Sequence, residues 1–189
     1  MKKLLALILA LSSLAAAPQA PGPRPAAPEI RLVLLIAVDQ FRYDYLTRFR
    51  GEFTSGFKRL LTQGAVFTRA NLDHYPTVTA IGHATMLTGA TPSVSGIIGN
   101  DWFDRETGTQ VQSITDTTVK PVGAADAGTA SPRRLLVSTV GDELKLSAAA
   151  PKGSDAAPRV IGLSLKDRSA VMAAGRGGDA AYWVGTKSG

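Results

Sequence analysis

A chain of 189 residues with 44% hydrophobic and 19% charged side chains has the composition of a folded domain, not of a disordered segment. Its formal charge of +6 falls to +4 once Lys2 and Lys3 are set aside with the leader described next. The other basic residues are scattered without interleaved aromatics, which argues against nucleic acid as a partner. Cysteine is absent, so disulfides and thiolate metal sites are excluded.

Lys2-Lys3, the apolar stretch Leu4–Leu14 and the small residues Ala15, Ala16, Ala17 and Ala20 form the three regions of a secretory signal peptide. The apolar stretch is too short to span a bilayer comfortably. Residues 1–20 are therefore read as a signal peptide, with a periplasmic or secreted product and no stable membrane anchor. Residues 18–28 carry five prolines, so 21–29 reads as an extended linker. Residues 30–189 form the folded part.

Leu32–Val38 is a continuous apolar run, the pattern of a strand buried on both faces of a parallel sheet. Residues 54–63 predict a helix with Phe57, Leu60 and Leu61 on one face and Gly64 as its stop. Ala65–Thr68 predicts a short strand, and residues 79–88 a helix ended by Gly89. Residues 101–134, rich in Thr, Gly, Asp and Pro, read as an excursion with short strands such as Val111–Ile114. Leu136–Ala148 predicts an amphipathic helix with Val140, Leu144 and Leu146 among its apolar positions, and Pro151–Pro158 a loop. Arg159–Leu165 predicts a buried strand, Arg168–Ala174 a helix and Ala180–Val184 a strand. Strands alternating with helices imply an α/β fold with a mostly parallel sheet flanked by helices.

Asp39 stands where the first apolar run ends, a favoured place for a ligand-binding carboxylate in open α/β sheets. A helix cap or an ion pair with Arg42 would explain it equally well. Thr79 lies near the start of a helix, where free N–H groups and the dipole stabilise negative charge. A divalent metal can make such a hydroxyl nucleophilic, whereas a plain helix cap by Thr77 or Thr79 is the ordinary alternative. His83, four residues on, reads as structural. Asn100, on a glycine-flanked loop, suits either donation to an oxyanion or an Asx turn. Lys166 and Arg168 follow a strand two residues apart, so in an extended chain both would face one anion. A solvated surface pair is the default for such a spacing.

Taken in order, V-D at 38–39, Y-P-T-V-T-A-I-G-H at 75–83, T-G-A-T-P-S-V-S-G-I-I-G-N-D-W-F-D at 88–104 and S-L-K-D-R at 164–168 resemble the alkaline phosphatase superfamily. The resemblance is to its nucleotide pyrophosphatase/phosphodiesterase branch, and within that to the phosphate-irrepressible, threonine-nucleophile alkaline phosphatases. It implies an alkaline-phosphatase-like catalytic domain acting on small phosphorylated substrates with two Zn2+ ions. Asp39 and Thr79 would share one zinc, Thr79 would be the nucleophile, and Asn100, Lys166 and Arg168 would bind the phosphoryl group. The Lys/Arg pair favours monoesters. Ile81 stands where many relatives have proline.

Two zincs need at least six protein ligands at ordinary coordination numbers, and the family takes the others from downstream of the K-x-R motif. Only 21 residues follow Arg168, and His74 and His83 are the only histidines. The expectation is therefore the N-terminal part of a longer phosphate-monoester hydrolase, inactive alone. The alternatives are a phosphodiesterase of the same superfamily and a non-catalytic exported fragment that binds anions. A sulfatase is disfavoured because no C/S-x-P-x-R stretch is present.

Overall fold

The computed structural model describes residues 30–123, 128–148 and 157–185. The expected signal peptide and linker, residues 1–29, lie outside the described residues, as does most of the expected 151–158 loop. Two compact units are distinguished, Met1–Ile36 and Ala37–Gly189. The described part of the first is residues 30–36, which carry no strand, with Leu32 80% and Ile36 73% exposed.

In the second unit the elements run in order α1 (Tyr45–Arg48), a 3-10 turn (Arg50–Glu52), α2 (Gly56–Gln63), α3 (Thr79–Thr88) and α4 (Pro92–Ser95). There follow β1 (Asp101–Asp104), β2 (Thr109–Gln112), α5 (Val140–Ser147), β3 (Ile161–Ser164), α6 (Asp167–Ala174) and β4 (Ala180–Trp183). β1 and β2 form an antiparallel hairpin with Asp101 opposite Gln112. β3 and β4 are parallel, Ile161 opposite Ala180 and Ser164 opposite Trp183. The latter pair with α6 between them is a β-α-β unit, the connection that parallel strands require.

The core lies between α3 and α6. Ala80, Ile81 and Ala84 from α3 meet Val171 and Met172 from α6, joined by Ile97, Ile114 and Leu135. Small residues on α3 permit this close seating, and Trp102 and Trp183 pack at its margin. Gly162 lets β3 press onto α6, since a Cβ there would run into the Ala170 carbonyl. Gly89 takes φ +68°, the left-handed conformation that ends a helix at little cost for glycine.

Two buried aspartates brace the loops. Asp142, at the third position of α5, closes a capping box with Thr139 and accepts from Gly177 N–H at 2.5 Å. Burial pushes its carboxyl up, but N–H and hydroxyl donation from Thr139, Gly177 and Arg176 outweighs this and holds it below the usual carboxylate range. Asp116 closes the 101–134 excursion by accepting from Ser131 at 2.5 Å, Thr118 at 2.6 Å and Arg133 at 3.2 Å. The Ser131 and Thr118 hydroxyls and the Thr118 N–H hold its carboxyl well below the usual range.

Several predicted elements differ. Leu32–Val38 belongs to no strand and Val38 is 54% exposed; a doubly buried strand needs hydrogen-bonded neighbours, and among the described residues none pairs with it. Ala65–Thr68 is likewise not a strand, and Phe67 is 81% exposed. The second hairpin strand is Thr109–Gln112, set by its partner β1, not Val111–Ile114. The helix expected from Leu136 begins at Val140, because Thr139 caps it. Its apolar residues Val140 and Leu146 are exposed, not buried.

Candidate active site

Asp39 and Thr79 are brought together across 40 positions of sequence: Thr79 Oγ1 donates to Asp39 Oδ2 at 3.0 Å. The chain turns sharply after Asp39, with Gln40 at φ 60°, and Gln40 N–H donates to Asp39 Oδ1 at 3.0 Å. Arg42 pairs with Asp44 at 3.0 Å, so the Asp39–Arg42 ion pair is not formed. Thr79 is the first residue of α3, and the N-cap is Val78, in an extended conformation and without a side-chain cap. The Thr79 hydroxyl is thus spared from capping and committed to the carboxylate. Asp39 is exposed and Thr79 half-buried.

Asn100 joins them from the loop before β1. Its Oδ1 accepts from Ala80 N–H, the second amide of α3, at 2.9 Å. A side-chain amide has an acceptor end and a donor end. With the acceptor held by α3, the NH2 is the end left to meet a ligand. His83, 7% exposed, places Nδ1 2.8 Å from the Thr79 carbonyl oxygen. His83, structural by its sequence context, stands one turn after Thr79, the spacing that lets its ring reach that residue's backbone carbonyl.

Lys166 and Arg168 sit at the start of α6. Lys166 is its exposed N-cap, and Arg168 Nε lies 3.9 Å from Asp167 Oδ1. Lys166 is extended but the helix already begins at Asp167, so the two residues do not lie on one extended strand. α3 and α6 pack against each other, which joins the two elements that carry these residues, while no hydrogen bond links Lys166 or Arg168 to Asp39, Thr79 or Asn100 among the described residues.

Two convergent oxygens, from Asp39 and Thr79, are hard donors that suit one side of a divalent-cation site. They do not complete one, and among the described residues no group of three or more His, Asp or Glu could hold a metal ion.

Asp39 at a turn, Thr79 at the first residue of α3 and Asn100 on the loop before β1 thus form one cluster. The family profile described as type I phosphodiesterase / nucleotide pyrophosphatase matches residues 33–165, and the chain belongs to that family. It is 41% identical over 167 residues to alkaline phosphatase PafA of Elizabethkingia meningoseptica, covering 87% of this chain and 30% of that protein. Alkaline phosphatase PhoV of Synechococcus elongatus is 39% identical over 161 residues, 84% of this chain and 28% of its own length. The crystal structure of wild-type PafA superposes with a TM-score of 0.70 at 42% identity, over 77% of this chain and 27% of that one. A PafA variant with one threonine, one asparagine, one lysine and one arginine replaced matches with the same TM-score at 40% identity, over 77% of this chain and 28% of that one. The fold is therefore the α/β fold of alkaline phosphatase, and the chain spans about 30% of the length of the curated relatives it matches.

Proposed function

We propose that this chain supplies the nucleophile and phosphate-binding part of an exported, zinc-dependent phosphate-monoester hydrolase. The observation that carries the reading is the hydrogen bond from Thr79 Oγ1 to Asp39 Oδ2 at the start of α3, a hydroxyl held by a carboxylate at the positive end of a helix. The relatives add support. In the PafA variant the replaced threonine and asparagine stand 21 positions apart and the lysine and arginine two apart. Thr79 and Asn100, and Lys166 and Arg168, have the same spacings.

In this mechanism Thr79 gives its hydroxyl proton to solvent and its oxygen bonds to phosphorus as the opposite bond, from phosphorus to the ester oxygen, breaks. The alcohol leaves and takes up a proton, and water then cleaves the resulting phosphothreonine to release phosphate. Asn100 NH2 donates to a phosphoryl oxygen throughout. Lys166 and Arg168 neutralise the non-bridging oxygens, Arg168 through its forked guanidinium. Asp39 and Thr79 would hold one Zn2+, which supplies Lewis acidity that favours loss of the hydroxyl proton. Among the described residues no further ligands complete a two-zinc site. A diesterase of the same family is the second reading, favoured by the name of the matching profile.

The test is made in the protein carrying the remaining ligands. Thr79→Ser should retain measurable hydrolysis of p-nitrophenyl phosphate with a covalent phosphoenzyme, and Thr79→Ala should yield none. Labelled phosphate recovered on Thr77 by mass spectrometry would sink the assignment.

A further inference from the structure

The Thr79 carbonyl oxygen and the Ala80 N–H belong to one planar peptide unit, and that unit is held at both ends. His83 Nδ1 lies 2.8 Å from the oxygen, and the N–H donates to Asn100 Oδ1 at 2.9 Å. A carbonyl oxygen can only accept, so Nδ1 carries the proton. His83 is 7% exposed and Ala80 fully buried, so water competes poorly for either bond.

We propose that His83 is a positioning residue, which through this single peptide aligns both the Thr79 hydroxyl and the Asn100 amide. The proposal rests on the reading of Thr79 and Asn100 given above. Donation from the imidazole to the carbonyl polarises the peptide and makes its N–H a stronger donor to Asn100, since bonds in a chain reinforce one another. Holding Asn100 by its oxygen fixes the plane of its amide and so the direction of its NH2. The same peptide plane sets the backbone from which the Thr79 side chain reaches Asp39. Nucleophile and phosphoryl donor, 21 positions apart in sequence, are thereby kept in register by a residue that touches neither substrate nor metal. A histidine present only to fill its own pocket would leave Ala80 and Asn100 indifferent to its replacement.

The experiment has a ligand-free arm and a phosphate arm. In the wild-type chain, nitrogen-15 NMR should find the His83 proton on Nδ1; the Nε2–H tautomer would overturn the proposal without any variant. His83→Leu should shift the Ala80 amide and the Asn100 side-chain NH2 resonances, whereas His83→Asn, whose Nδ2 can donate to the same carbonyl, should restore both. Unmoved resonances in a His83→Leu chain with unchanged far-UV circular dichroism would also overturn it. With inorganic phosphate as the probe, His83→Leu should weaken binding about tenfold, and that loss should largely vanish in an Asn100→Ala background. Losses that simply multiply would assign His83 a structural role only. Failure of the wild-type chain to bind phosphate would instead count against the phosphate reading of the site, and the NMR arm would still decide the clamp.

Discussion

At the scale of single residues, what distinguishes Thr79 from Thr77 is a partner 40 positions away. Both threonines sit near a helix start and either suits a cap, so local pattern cannot separate them. The Asp39 carboxylate does, by claiming the Thr79 hydroxyl. Sequence order made Asp39, Asn100, Lys166 and Arg168 legible as candidates, but not the Ala80–Asn100 bond, which depends on how a loop returns to a helix. The pair at the start of α6 leads to a specificity prediction. A monoester dianion carries more charge on its non-bridging oxygens than a diester, so a lost cation should harm monoester turnover more. In the enzyme with its full ligand set, Lys166→Ala should lower kcat/KM for p-nitrophenyl phosphate by roughly 30- to 1000-fold. Equal losses for that substrate and bis-p-nitrophenyl phosphate would remove Lys166 from any role in choosing between them.

At the scale of elements, the sites of closest approach give the sharpest expectations. Gly162→Ala would drive a methyl group into the backbone of α6, and overpacking of this kind costs about 2–3 kcal/mol. A lowered midpoint in urea unfolding would register it, and an unchanged midpoint would mean that β3 does not seat on α6 this closely. Loss of the capping box in Thr139→Ala should cost about 1 kcal/mol, seen as a drop in Tm. The braces also make stability depend on acid. Asp116 and Asp142 both have carboxyls lowered on folding, so their contribution is complete above the unfolded value near ~3.9 and is lost as pH falls through the folded values. Urea melts between pH 6 and pH 2 should show stability falling below about pH 4, with a shallower fall in Asp116→Asn. The sequence showed α3 well, because Gly89 marks its end, and α6 to within one residue of its start. It misjudged Leu32–Val38 and Ala65–Thr68, since an apolar run records the burial a segment is suited to, and a strand exists only where a neighbour completes its hydrogen bonds.

At the scale of the whole molecule, two characters coexist in residues 37–185. The interface of α3 with α6 is closely seated, whereas β3 turns Ile161 and Leu163 outward, 52% and 72% exposed, and β4 exposes Tyr182 at 59%. No helix among the described residues is long and apolar enough to cross a membrane. Apolar surface of this extent favours self-association, which sedimentation of the purified chain at rising concentration should reveal. These 189 residues with excess zinc should show no p-nitrophenyl phosphate hydrolysis above a Thr79→Ala control; Thr79-dependent turnover would require metal ligands beyond those recognised. The outward face of β3 and β4 also affects how the chain will look in routine folding assays. Dyes such as ANS fluoresce on exposed apolar surface and are commonly taken as markers of a molten globule. This chain should light up the dye while Trp102 and Trp183, packed against the core, keep a structured near-UV circular dichroism spectrum. Bright dye and ordered tryptophans together would identify a native surface, not a loosened interior.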